Sequence, residues 1–309
     1  MGFVASEENG VIRLEDSEGG VTAEVFTFGG LLNRFSLLTG GAGINVIDGY
    51  ASLKACKKEI EFWFKSARLS PFANRLAEGS YTWQGKEYKA TRHYLGKHAI
   101  HGLVYDCDYV IKDLYTYADS AGVVLAADYN KNNEGYPFRF SSTIEWRLSK
   151  GNELSLSITV RNDDETSMPY MEGWHPYFLM DIPIDGCLLK VNATERLELK
   201  EGIPTGKKVA DADYTSYQVL RNKSLDDCFV LHDFSQPACI LKGERIQLSI
   251  RCDESFPYLQ VFTPEHRLNI AIENQSSATN AFNNQIGLLT IAPGQTKTFR
   301  TSYRLESTI

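Results

Sequence analysis

Apolar and polar residues alternate with a period of two through much of the chain. Phe140, Ser142, Ile144, Trp146 and Leu148 interleave with Arg139, Ser141, Thr143, Glu145 and Arg147. Leu154, Leu156, Ile158 and Val160 interleave with Ser155, Ser157, Thr159 and Arg161, and Ile246, Leu248 and Ile250 with Gln247, Ser249 and Arg251. Each run turns one face to a core and the other to water, the pattern of a half-buried β-strand. Gly85-Lys86, Lys150-Gly151-Asn152, Asn162-Asp163-Asp164, Lys242-Gly243 and Pro293-Gly294 punctuate the runs as turns. Helical pattern is scarce, and its best stretch covers about residues 52–64. Many strands with short turns and almost no crossover helices predict antiparallel sheets packed face to face. No linker, low-complexity segment or internal repeat interrupts them. The expected fold is all-β: a single large antiparallel β-sandwich domain over residues 1–309, with few short helices.

Composition narrows the partners. The chain has 309 residues, 43% hydrophobic and 23% charged, which is enough to bury a large core. A net charge of −7 argues against a nucleic-acid partner held by a basic face. No apolar run is long enough to span a bilayer, and the amino terminus carries no secretory pattern. A cytoplasmic protein without a membrane partner is expected. Six cysteines, with no C-x-x-C spacing, read as reduced and mostly buried thiols rather than a zinc site, so no metal is expected. Nothing in the sequence separates a monomer from a homodimer.

Five segments carry candidate chemistry. In Glu172-Gly173-Trp174-His175-Pro176-Tyr177-Phe178, Pro176 fixes its own φ and pushes His175 toward extended geometry, while Trp174, Tyr177 and Phe178 supply an aromatic wall. An imidazole held there can shuttle protons near neutral pH; the same surroundings suit a buried structural histidine. Asn74-Arg75 stands between apolar residues, where Arg75 offers a fork of donors to an oxygen-rich ligand or simply precedes the Gly79 turn. His101 precedes Gly102, which allows an unusual backbone close to a ligand, although such a histidine is more often structural. His98 lies three residues earlier, so in a strand the two would face opposite ways. Asp226-Asp227 can accept hydroxyl protons of a polyol or form a turn. Glu273 ends an apolar run, where desolvation raises a carboxyl pKa and improves it as a base, or where it caps a strand. The polar stretch from Ser276 to Asn284 reads as a flexible loop at a site rim.

In this order, the segments resemble the aldose 1-epimerase family, also called galactose mutarotases, from about Gly10 to the carboxyl end. The resemblance rests on Asn74-Arg75 through Gly79, His101-Gly102, His175-Pro176-Tyr177-Phe178, and Ile272-Glu273 followed by Asn280-Ala281-Phe282-Asn283; Asp226-Asp227-Cys228-Phe229 is similar to a further family segment. It implies a β-sandwich with a sugar site on an open face, and cofactor-independent interconversion of the α and β anomers of a free aldose. Glu273 would be the general base at the C1 hydroxyl and His175 the general acid at the ring oxygen. His101, Arg75 and Asp226 would bind sugar hydroxyls, with Asn74 in support. This chemistry requires His175 protonated while Glu273 is ionised, so their pKa values are expected in that order. Trp174 and Tyr177 are expected to shape the apolar edge of the site. The chain departs from the family pattern at His98, Leu103 and Asn274, positions expected to border the sugar. A hexose-6-phosphate 1-epimerase, drawing on Arg68, Arg75, Arg92, Lys97 and Arg267, is the alternative enzyme. A catalytically silent sugar-binding protein on the same fold is the alternative outside catalysis.

Overall fold

The computed structural model describes residues 2–309. The alternating runs become strands. Arg139–Ser149 and Glu153–Asn162 pair antiparallel across the Lys150-Gly151-Asn152 turn, with Ile144 opposite Ile158 and Trp146 opposite Leu156. Their apolar positions are buried and most of the intervening polar positions are not, as the period of two requires. They lie in a nine-stranded sheet with the order Val110–Thr116, Ser120–Asn130, Arg139–Ser149, Glu153–Asn162, Thr296–Ser307, Ile246–Cys252, Cys239–Lys242, Leu188–Val191 and Gln218–Val219. Its neighbours run antiparallel.

A five-stranded meander, Phe3–Glu8 through Ala42–Asn45, covers part of this sheet. Trp146 joins the two layers, donating its indole N–H to the Gly30 carbonyl at 2.8 Å. A six-stranded sheet covers another part, with the order Tyr177–Phe178, Ile270–Gln275, Tyr258–Phe262, Asp226–Val230, Glu195–Lys200 and Ile203–Ala210. Here Asn274 accepts a hydrogen bond from Thr301 of the nine-stranded sheet at 3.1 Å, and the Phe178 and Tyr303 rings lie 5.9 Å apart. One hydrophobic cluster runs from Phe3 to Leu305 and fills the space between the layers. The all-β sandwich expectation therefore holds.

Among the described residues, α-helix is confined to two segments, Leu53–Trp63 and Ala281–Asn284. The first matches the expected stretch. Ser52 caps it by accepting from the Ala55 N–H at 3.1 Å, and Phe64 ends it in a left-handed conformation with φ of 50°. The cysteines are free; five are buried and Cys107 is half-buried, in line with the reading of the thiols.

Candidate active site

The site forms where the six-stranded sheet meets the loops that precede the nine-stranded one. Strand alternation aims its side chains. In Ile270–Gln275, Ile272 and Asn274 face the inter-sheet core, so Glu273 and Gln275 face the other way. In Trp174–His175, Trp174 packs on Trp146 with ring centroids 5.3 Å apart, which turns His175 to the opposite side. His175 Nε2 and Glu273 Oε1 come within 3.3 Å of each other. Both side chains are buried.

A cavity of about 180 Å³ opens over this pair. Asn74, Arg75, His101 and Asp226 line it together with His175 and Glu273, so all six expected site residues converge. Tyr177, Leu95, Ile100 and Phe262 complete the wall. The His101 ring stands perpendicular to His175 at 4.9 Å, and the Tyr177 ring lies 4.8 Å from it on another side. His101 owes its position to a strained backbone: φ is 63° at His101 and 73° at Gly102. A Cβ at Gly102 would meet the Ser70 carbonyl oxygen at 2.3 Å, so only glycine fits. Asn74 is also left-handed, and its side-chain oxygen accepts from Arg75 at 3.3 Å. Gly202 leaves room for the Arg75 guanidinium, which a Cβ there would strike at 2.5 Å.

The electrostatics differ from the sequence expectation. Burial pushes His175 down to about 4. Burial also pushes Glu273 up to about 8, against the opposing hydrogen bond from Gln275. The order is the reverse of the expected one, because each group lies where its charged form is poorly solvated. Between these values the pair holds one proton in total, resting on Glu273 rather than His175. A shift of that proton across the contact converts the neutral form into imidazolium and carboxylate without changing net charge. His101 is held well below its usual range, by burial first and then by repulsion from His175, Arg75 and His93. It is therefore a neutral hydrogen-bonding group.

Two site residues escaped the sequence reading. Gln275 donates to Glu273 Oε2 at 3.1 Å, and Gln260 donates to Asp226 Oδ1 at 2.7 Å. Gln275 was within reach, because position i+2 of a strand shares the face of Glu273. Gln260 becomes visible only through its register opposite Glu273.

Four expectations are corrected. Trp174 is buried against Trp146 and does not shape the cavity; Tyr177 does. His98, Leu103 and Asn274 do not line the cavity. His98 instead accepts from the Glu78 N–H at 3.1 Å, Leu103 is buried, and Asn274 points into the core. The stretch 276–284 is not an exposed rim loop. Ser276 to Phe282 are buried, Ser277 donates to the Gly287 carbonyl at 2.8 Å, and Asn280 accepts from the Ala77 N–H at 2.9 Å, supporting the Asn74-Arg75 segment from behind. Finally, the five cations considered for phosphate do not gather. Arg68 is buried on Glu172, Arg92 pairs with Asp106, Lys97 with Glu78 and Arg267 with Asp185; of the five, Arg75 alone lines the cavity.

A buried imidazole–carboxylate pair at the floor of a small cavity of mixed lining, on a β-sandwich, is an arrangement capable of acid–base chemistry. Comparisons with known proteins give the family and the fold. The aldose 1-epimerase family model matches residues 10–304, and the chain belongs to that family. It is 28% identical over 236 residues to the uncharacterized protein YihR of Escherichia coli K12, covering 74% of each chain. It is 25% identical over 233 residues to a maltose epimerase of Levilactobacillus brevis, covering 74% of this chain and 62% of that one. Among solved structures, a galactose 1-epimerase from Lactobacillus acidophilus superposes with a TM-score of 0.83 at 20% identity, covering 99% of this chain and 98% of that one. An aldose epimerase homologue from C. elegans superposes with a TM-score of 0.84 at 19% identity, covering 100% and 99%. At that identity the structural likeness carries the fold.

Proposed function

We propose that this protein is a cofactor-independent aldose 1-epimerase that interconverts the α and β anomers of a free aldose. The observation that carries the reading is the His175–Glu273 contact of 3.3 Å, buried and lined by hydroxyl-binding groups. Mutarotation needs two proton transfers at the two oxygens of one hemiacetal carbon, and a pair holding one movable proton supplies both.

In this reading the aldose lies over the pair with its C1 hydroxyl at Glu273 and its ring oxygen at His175. A hydroxyl donated to the Glu273 carboxylate favours the ionised form, and the proton moves to His175. Glu273 then takes the C1 hydroxyl proton, the bond from C1 to the ring oxygen breaks, and His175 protonates that oxygen. The product is an open-chain aldehyde. Rotation about the C1–C2 bond presents the other carbonyl face, and the reversed transfers close the ring as the opposite anomer. Arg75 donates to sugar hydroxyls, the Asp226 carboxylate accepts from them, and neutral His101 does either. Asn74 orients Arg75.

Polarimetry on freshly dissolved α-glucose and α-galactose tests the reading. The protein is expected to accelerate the approach to equilibrium. His175→Ala and Glu273→Gln are each expected to lower kcat by about 10²- to 10⁴-fold. Binding of an aldose without acceleration would instead make the chain a silent sugar-binding protein.

A further inference from the structure

The helix Leu53–Trp63 ends beside the cavity in an unusual way. Its Cys56 and Ile60 face the core, yet Phe62 and Trp63 in its last turn are 74% and 54% exposed. Across from them, Tyr94 and Leu95 are 41% and 54% exposed. These four side chains line one concavity of about 280 Å³. Large apolar groups gathered in the open leave water-ordering surface uncovered, and such patches mark binding surfaces. The concavity is continuous with the site, because Leu95, Ile100, His101, His175 and Tyr177 line both.

Its backbone and polar groups also point to a ligand. Phe64, His93 and His101 line it with φ of 50°, 50° and 63°, a region that residues other than glycine seldom occupy and that clusters at functional sites. The His93 Nε2 lies 3.4 Å from Glu61 Oε1 without forming an aligned hydrogen bond to it. The Glu61 carboxylate meets Arg92 and His93 through Oε1, at 3.4 Å each, which leaves Oε2 open to a hydroxyl. An apolar wall with a few open polar groups matches a glycosyl ring, which presents C–H faces and hydroxyl edges.

We infer that this concavity binds the second glycosyl unit of a reducing disaccharide, joined to the C6 oxygen of the aldose in the cavity. The inference rests on the aldose 1-epimerase reading, which sets the linkage. With His175 at the ring oxygen and Glu273 at the C1 hydroxyl, the other neighbour of the ring oxygen is C5, which bears C6. The concavity borders His175 and Tyr177 but not Glu273, Asp226 or Arg75. A substituent reaching it therefore leaves from the C5–C6 side. The Glu61 carboxylate in the wall selects a neutral glycosyl over a phosphate.

Exchange NMR on equilibrated anomers measures kcat/KM for glucose, isomaltose (1→6-linked), maltose (1→4-linked) and glucose 6-phosphate. Isomaltose is expected to exceed glucose by about three- to tenfold, the scale of one added aromatic contact. Phe62→Ala and Trp63→Ala, both at exposed positions, should remove that gain through KM and leave glucose and the melting temperature unchanged. Glucose turned over with no isomaltose advantage overturns this inference alone. So does a Trp63-dependent advantage for maltose or glucose 6-phosphate, or an equal loss on glucose and isomaltose in the variants. Turnover of none of the four sugars removes the underlying aldose reading as well.

Discussion

Two buried acid–base pairs lie on the same short stretch of chain and are built in opposite ways. Arg68 and Ala67 form a strand antiparallel to Trp174–His175, and Glu172 lies two residues before Trp174. Arg68 spends all three guanidinium nitrogens in five hydrogen bonds: two to Glu172 at 2.9 and 2.7 Å, and one each to Tyr109, Ser142 and Tyr170 at 2.7, 2.9 and 2.8 Å. Glu172 takes a further bond from Tyr170 at 2.6 Å. The second pair, His175 with Glu273, has one supporting bond from Gln275, and His175 Nδ1 is buried with no partner. In the first pair all five guanidinium protons of Arg68 and both carboxylate oxygens of Glu172 have partners, so the pair is fixed in place. A sparsely bonded pair in the same low-dielectric surroundings drifts toward its neutral form and keeps a proton that can move. The first pair holds the strand that carries His175; in the proposed function the second is the part that reacts.

Substitution should separate the two roles. The largest effect falls on turnover: His175→Ala and Glu273→Gln lose about 10²- to 10⁴-fold in kcat, and urea titration should find neither one destabilised. Arg68→Met should do the reverse first. It leaves Glu172 buried without its cation and costs about 3–5 kcal/mol of stability in the same titration, since breaking a buried pair strands one charge. Equal losses of stability in both sets would erase the distinction.

A smaller effect concerns pH. The Glu273 carboxyl is raised in the folded protein from an ordinary value to about 8, so the folded state binds its proton more tightly than the unfolded chain. Stability from this group is full at low pH and is lost as pH rises toward 8. Relative to Glu273→Gln, the wild type should therefore become progressively less stable over that window, by about 1.4 kcal/mol for each unit the shift retains. Parallel denaturation curves with no pH-dependent gap would remove the burial argument. The smallest effect is that of Gln275→Leu. Losing its hydrogen bond to the carboxylate should raise the Glu273 titration by about one further unit, readable in the alkaline limb of the rate profile.

The same contrast explains what the sequence made legible. Strict alternation in Arg139–Ser149 and Glu153–Asn162 announced half-buried antiparallel strands, because that signal is local. The six residues that line the cavity were singled out through the order of their segments. The state of the pair was not, since it depends on how deeply two residues nearly a hundred positions apart are buried together. The register that sets Gln260 opposite Glu273 was hidden for the same reason. The stretch 276–284 misled because its polar residues look solvated, whereas Ser277 and Asn280 spend their polarity on backbone partners inside the fold.

The pH dependence of kcat/KM for glucose mutarotation, followed by polarimetry, tests most directly whether the sparsely bonded pair works as one proton-holding unit. Below about 4 the pair gains a second proton and has no base; above about 8 it loses the last one and has no acid. The account predicts a plateau between those limits, absent in His175→Ala. An alkaline fall centred near 6.5, the ordinary histidine value, would contradict it.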